Sequence, residues 1–140
     1  MSRKARARML SPTISTSERV NMLSANAALL YTWLLAHCDD QGRMSADPAT
    51  VKALVVPLRQ DMTQEDVQRA LSDIEDMGLI QTYSAFEAGG WTPKDKILQV
   101  KDWWDFQHLR DAKPSKYPAP RGWRDKVGSQ SRDEQGRYRN

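Results

Sequence analysis

The amino-acid sequence predicts an α+β fold in which a few helices pack on one small antiparallel sheet. Three observations carry that expectation. Apolar side chains recur at steps of three and four after Ser24 and again after Thr63, the spacing of one helix face. Two β-prone runs, 79–86 and 96–101, flank a loop holding Gly89, Gly90 and Pro93 and read as a hairpin with a long tip. The segment 42–46 between the first two helices is too short for anything but a turn or a brief strand.

The elements follow in order. Ser11-Pro-Thr-Ile-Ser-Thr16 is rich in Ser, Thr and Pro and reads as extended. Ser17 or Ser24 supplies a hydroxyl to cap a helix start. From Ser24, the set Ala27, Leu30, Tyr31, Leu34, Leu35 and Cys38 forms the first helix face, and Gly42 ends that helix by taking positive φ. Asp47-Pro48 places an acid at a cap and proline at the first helical position, and Pro57 stops this second helix near Val56. Thr63-Gln-Glu-Asp66 has the spacing of a capping box and opens a third helix with Val67, Ala70, Leu71, Ile74 and Met77 inward, closed by Gly78. Trp103, Trp104 and Phe106 follow the second β run and are expected to fold back as a lid on the core. Lys113-Pro-Ser-Lys-Tyr-Pro-Ala-Pro120 reads as polyproline-like. Val127 is the only aliphatic side chain larger than alanine after Leu109, so residues 121–140 read as disordered.

Helix, short strand, helix, helix, strand, long loop, strand is the element order of a winged helix: a three-helix helix-turn-helix core with a β-hairpin wing, here with an extended C-terminal tail. The chain divides into a basic arm (1–10), the winged-helix domain (11–108) and a Pro-rich to disordered basic tail (109–140). In that fold the third helix enters the major groove and the wing touches the flanking backbone.

The charge distribution bears on partners. The formal net charge of +3 hides +4 over residues 1–10, −5 over 11–102 and +4 over 103–140. Cationic ends on a small chain suit a polyanion such as nucleic acid, or they serve solubility. The third helix is anionic: five acids against Arg69 from Thr63 to Gly78. A like-charge pair at about 4 Å costs about 4 kcal/mol at an effective dielectric near 20, before salt screening. Only its first turns carry uncharged donors for base edges, Thr63, Gln64 and Gln68. The DNA-contacting candidates are therefore Arg3, Lys4, Arg6 and Arg8 in the arm, Thr63, Gln64, Gln68 and Arg69 on the third helix, Lys94 and Lys96 in the wing, and Lys113, Lys116, Arg121 and Arg124 in the tail. Tyr117 and Trp123 interleave with the tail cations, a composition that suits phosphate contact plus base stacking, or else they pack on the body. Trp91 in the wing serves pairing with a second copy or packs on the hairpin.

Catalytic and metal chemistry finds little support. Gly89-Gly90 lacks the context of a phosphate loop. Cys38 is the lone cysteine and sits on the inward helical face, so His37-Cys38-Asp39-Asp40 reads as a helix end rather than a ligand cluster. No nucleophile elbow is present. Neither an enzyme nor a cofactor is expected. The longest apolar stretch, Ala25 to Cys38, falls short of the roughly 20 residues of a membrane span. The basic N-terminus is not followed directly by the apolar region of a secretory signal. A cytoplasmic protein of a cell or virus fits.

Several pieces carry a resemblance: Met9-Leu-Ser-Pro-Thr-Ile14, Ser17-Glu-Arg-Val20, Leu29-Leu30, Asp39-Asp-Gln-Gly-Arg43, Asp47-Pro48, Gly78-Leu-Ile80, Trp103-Trp-Asp-Phe-Gln-His108 and Pro114-Ser-Lys-Tyr-Pro-Ala-Pro120. Together they resemble the N-terminal region of phage replication proteins, described as replisome organisers or replication initiators with a winged-helix domain. The resemblance implies DNA binding in replication initiation or helicase recruitment, within the host cytoplasm. The competing expectation is a phage-encoded protein–protein adaptor that docks its acidic surface on a host protein.

Overall fold

The computed structural model describes residues 7–129. After a 3-10 turn (Pro12–Ser15) come α1 (Glu18–Asn21) and α2 (Ala25–Leu34), the latter extended by a 3-10 turn (Leu35–His37). Then follow β1 (Arg43–Ser45), α3 (Pro48–Val55), α4 (Gln64–Asp76), β2 (Ile80–Ser84), a 3-10 turn (Phe86–Ala88) and β3 (Lys96–Val100). The chain continues through α5 (Trp103–Phe106), β4 (Asp111–Ala112) and β5 (Gly128–Ser129). The fold is α+β. Its main sheet is antiparallel in the order β1-β3-β2, and β4 and β5 form a small second ladder. No helix among the described residues is long and apolar enough to cross a membrane.

Short polar side chains set the helix starts. Both candidate serine caps are used: Ser17 accepts from the Val20 N–H and Ser24 from the Ala27 N–H. Asp47 caps α3 with Pro48 at its first position. Thr63 and Asp66 form the reciprocal capping box of α4. Ser11–Thr16, extended by its composition, instead makes a 3-10 turn, because the Ser11 hydroxyl accepts from the Thr13 N–H and Pro12 starts the turn.

The core lies between the helices and one face of the sheet. Ala27, Leu30, Tyr31 and Leu34 of α2 meet Val67, Ala70, Leu71 and Ile74 of α4 over Met44, Ile80, Leu98 and Val100. Each such side chain, fully buried, contributes about 1.5–3 kcal/mol of transfer free energy, alanine excepted. Trp103 of α5, 1% exposed, closes the core as expected of a lid and Trp104 packs against it, whereas Phe106 stays 39% exposed.

The other face of the sheet is polar and is also covered. Register places Arg43, Gln99 and Gln81 in one row and Ser45, Ile97 and Tyr83 in the next, all on the face away from Met44 and Leu98. Ile97, Leu98, Gln99 and Val100 are all buried, so β3 is enclosed on both sides. The cover is the segment 113–126, whose composition reads as polyproline-like up to Pro120 and as disordered beyond it. It is extended yet packed, and Trp123 is partly buried against the core. Aliphatic content misleads here, because the segment is held through its own carbonyls and Asp125 by buried polar side chains. The boundary expected at 108 is thus bridged by contacts running back to β1 and β2. Residues 130–140 of the expected disordered stretch lie outside the described residues.

Gly42 is indispensable to this arrangement. Its φ is +81°, and a Cβ there would sit 2.7 Å from two Trp103 ring atoms and 2.9 Å from Gln99 Nε2. Gly42→Ala combines a left-handed cost of about 1–2 kcal/mol with overpacking of about 1–3 kcal/mol. A urea titration is expected to show a loss of about 2–5 kcal/mol at unchanged slope.

Candidate nucleic-acid interface

The turn Asp39–Arg43 organises everything around the candidate site. The Asp39 carboxylate accepts from the backbone N–H groups of Gln41 and Arg43, which shapes the turn, and from the Ser115 hydroxyl, which draws in the tail. Gln41, fully buried, donates to the carbonyls of Lys113 and Lys126 and accepts from the Lys126 N–H. The Arg43 guanidinium is fully buried and donates to Gln99 Oε1, the Tyr117 carbonyl and both Asp125 oxygens. Asp40 accepts from the Lys113 N–H and from Arg8. Tyr83 donates to the Pro118 carbonyl at 2.7 Å. The buried side chains of Gln41, Arg43 and Gln99 all have partners, which is the condition for burying such groups at tolerable cost.

The same network removes several expected DNA contacts. Arg8 pairs with Asp40 at 2.9 Å, donates to the Cys38 carbonyl and lies over the Trp103 ring, with only 6% of its side chain exposed. It is a structural residue, since freeing its charge for phosphate would strip Asp40 and the ring of their partner. Arg3, Lys4 and Arg6 lie outside the described residues. Next to Arg8, Met9 and Gln107 exchange two hydrogen bonds, backbone to side-chain amide, which ties the arm to the end of α5. Lys113 is exposed but bonded to Asp111 at 2.9 Å.

On α4, the Thr63 hydroxyl is engaged within the capping box with Asp66 and is not a free donor. Gln64, Gln68 and Arg69 are exposed. The helical spacing of Glu65 and Asp73 predicts that they hold Arg69, yet among the described residues it makes no ion pair. Glu75, one of the acids of this anionic helix, accepts from the Thr82 N–H and hydroxyl and ties α4 to β2 rather than facing solvent alone. Glu65, Asp73 and Asp76 remain exposed or half-exposed at the surface.

Two of the remaining candidate cations, Lys96 and Arg121, lie where the hairpin meets the tail. A groove of about 640 Å³ runs between the β2 end of the hairpin and residues Pro118–Arg121. Gln81, Tyr83 and Phe86 line the hairpin side, Pro118 and Pro120 line the tail side, and Lys96 and Arg121 supply two cations. No acid is among its described lining. The ring of Trp91 in the hairpin loop meets that of Tyr117, 5.5 Å between centroids, and Lys116 lies over the Tyr117 ring. Lys94, Lys96, Arg121 and Arg124 are exposed and make no ion pair among the described residues. The tail aromatics divide accordingly: Tyr117 pairs with the loop and Trp123 packs on the body.

Phe86, Gln81 and the Pro118–Pro120 wall carry no binding signal in the sequence pattern of charges. Phe86, an aromatic placed between a strand end and a glycine pair, is the one local feature that points there. The acidic turn at 38–40 is fully engaged: Cys38 is buried, which pushes its thiol well above the usual range, and both aspartates accept the bonds given above.

Burial pushes the hydroxyls of Tyr31 and Tyr83 up to about 12, with Asp102 reinforcing the first and Arg43 opposing the second. Both lie above the unfolded value near 10. The stability they lend is therefore complete below about pH 10 and is lost as pH rises toward 12. Absorbance titration is expected to show two tyrosines ionising near pH 12, with the urea midpoint falling over that interval. Asp125→Ala removes the charged partner of Arg43. Asp125 is 30% exposed, so the loss is expected below that of a fully buried pair, about 1–3 kcal/mol. Limited proteolysis is expected to cut within 113–129 faster than in the wild type.

Comparison of the chain with protein-family models, with curated proteins and with solved structures finds no match in any of the three.

Proposed function

We propose that this chain is a winged-helix DNA-binding protein of phage type that grips DNA mainly through its backbone, in replication initiation or helicase recruitment in the host cytoplasm. The element order and the β1-β3-β2 sheet support the winged-helix reading, with α3 and α4 as the helix-turn-helix and the loop 85–95 as the wing. The observation that carries the binding reading is the groove with Lys96 and Arg121 exposed along it and no acid among its described lining residues. Lys94 lies two residues from Lys96 on the wing, and Lys116 stands at the Trp91–Tyr117 pair. Replication as the setting rests on the resemblance of the Asp39–Arg43 and Pro114–Pro120 motifs to phage replication proteins.

Groove reading by α4 is a minor part of this proposal. Its exposed donors Gln64, Gln68 and Arg69 share the helix with Glu65, Asp73 and Asp76, whose charges repel phosphate. Those three acids, without ion pairs among the described residues, favour a second reading in which α4 docks on a basic surface of a host protein while the wing and tail hold DNA.

A salt titration of DNA affinity tests the first reading. Each phosphate neutralised contributes a slope of about −0.9 for duplex or about −0.7 for single strands in log affinity against log salt. Charge reversal of Lys94, Lys96, Arg121 and Arg124 together is expected to lower affinity at least about tenfold and to flatten that slope. Affinity unchanged by the reversal would remove the wing and tail from the interface. For the second reading, nuclease-treated host lysate should yield a partner that Asp73→Lys plus Asp76→Lys releases.

A further inference from the structure

We propose that the groove between the hairpin and the tail takes an unpaired strand of DNA, with a base stacked on Phe86; this deepens the DNA-binding reading above and rests on it. Phe86 is 55% exposed although it sits at the mouth of a formed groove, so its ring is available to a ligand rather than used in the core. Apolar rings left exposed beside cations are the composition of a stacking platform: the ring meets a base face, which every base has, and the cations meet phosphates. Lys96 and Arg121 are the cations lining this groove, and no acid is among its described lining.

The floor offers polar recognition as well. Gln81 is half-buried, lines the groove, and its side-chain amide makes no hydrogen bond among the described residues. It can give and take a hydrogen bond at a base edge. Tyr83 is unavailable for that purpose because its hydroxyl is held by the Pro118 carbonyl. That same bond and the Trp91–Tyr117 ring pair fix one wall to the other, and Pro93, Pro118 and Pro120 stiffen the walls. The groove therefore exists before any ligand arrives, which lowers the ordering cost of binding.

Size selects the strand state. A volume of about 640 Å³ lies within the range of sites that enclose one small ligand, about 300–1,000 Å³. It suits one or two splayed bases. A duplex, with its bases stacked and paired, offers this groove only sugar and phosphate edges.

The test is fluorescence anisotropy of the full chain with a labelled oligo-thymidine of about 16 nucleotides, the upper end of single-strand site sizes, against a blunt duplex of the same length. Wild type is expected to prefer the single strand. Phe86→Ala is expected to weaken oligo-thymidine binding on the order of tenfold, the worth of one stacked base, and to leave duplex binding unchanged. Phe86→Trp should restore the affinity, which a mere loss of fold would not allow, and the urea midpoint of Phe86→Ala should stay at the wild-type value. If DNA binds but Phe86→Ala stays within about twofold of wild type on oligo-thymidine, the stacked strand is refuted and the DNA-binding reading survives. Binding of neither DNA would overturn both.

Discussion

A fully buried guanidinium, Arg43, is the constraint around which the rest of the chain is arranged. A charge without water is tolerable only if all its donors are met and an opposite charge lies close. Gln99 meets one donor from the central strand, and Tyr117 and Asp125 meet the others from a segment more than seventy residues away. The distant segment must therefore come to the sheet. Once there, it buries Gln41 and Gln99 as well; the Lys113 and Lys126 carbonyls of that segment satisfy Gln41, and the carbonyls of the turn satisfy Gln99. The sheet consequently has two unlike faces: an apolar one under the helices, held by burial, and a polar one under the tail, held by hydrogen bonds.

The turn that carries Arg43 gathers nearly all of its roles into five residues. Asp39 shapes it and draws in Ser115, Asp40 holds Arg8 and the Lys113 amide, Gln41 clasps the tail at two points, and Gly42 lets Trp103 pack against bare backbone. The segments 39–43 and 114–120 thus lie against each other. Their residue types answer to folding before they answer to any ligand.

Electrostatics at the surface follows from what folding consumes. Arg8, Arg19, Arg43 and Lys113 are committed to carboxylates, and Lys52 to the carbonyls of Val56 and Arg59 just past α3. Among the described residues, Lys94, Lys96, Arg121 and Arg124 of the hairpin and tail stay exposed without an ion pair, as does Arg69 on α4. A count of charges along the chain marks both ends as cationic without distinguishing an arginine locked on Asp40 from one facing water, because desolvation and pairing depend on neighbours far away in the chain. For the same reason Gln64, Gln68, Lys96 and Arg121 are legible as candidates in the sequence, while Phe86 and Gln81 are not: their significance lies in a space that exists only once the tail has docked.

Local chemistry by itself determined the helices, their caps and the hairpin. Ser17, Ser24, Asp47 and Thr63 satisfy nearby amides, and the three-and-four spacing of Leu30, Leu34, Val67 and Ile74 defines a buried face whatever the rest of the chain does. Only the tertiary structure decided the course of residues 109–129 and the existence of the groove. Apolar periodicity reports burial by the hydrophobic effect, which is written into each segment. A polar layer is specified instead by matching donors to acceptors across long separations, Arg43 to Asp125 and Tyr83 to Pro118, and such a match leaves no period in either segment.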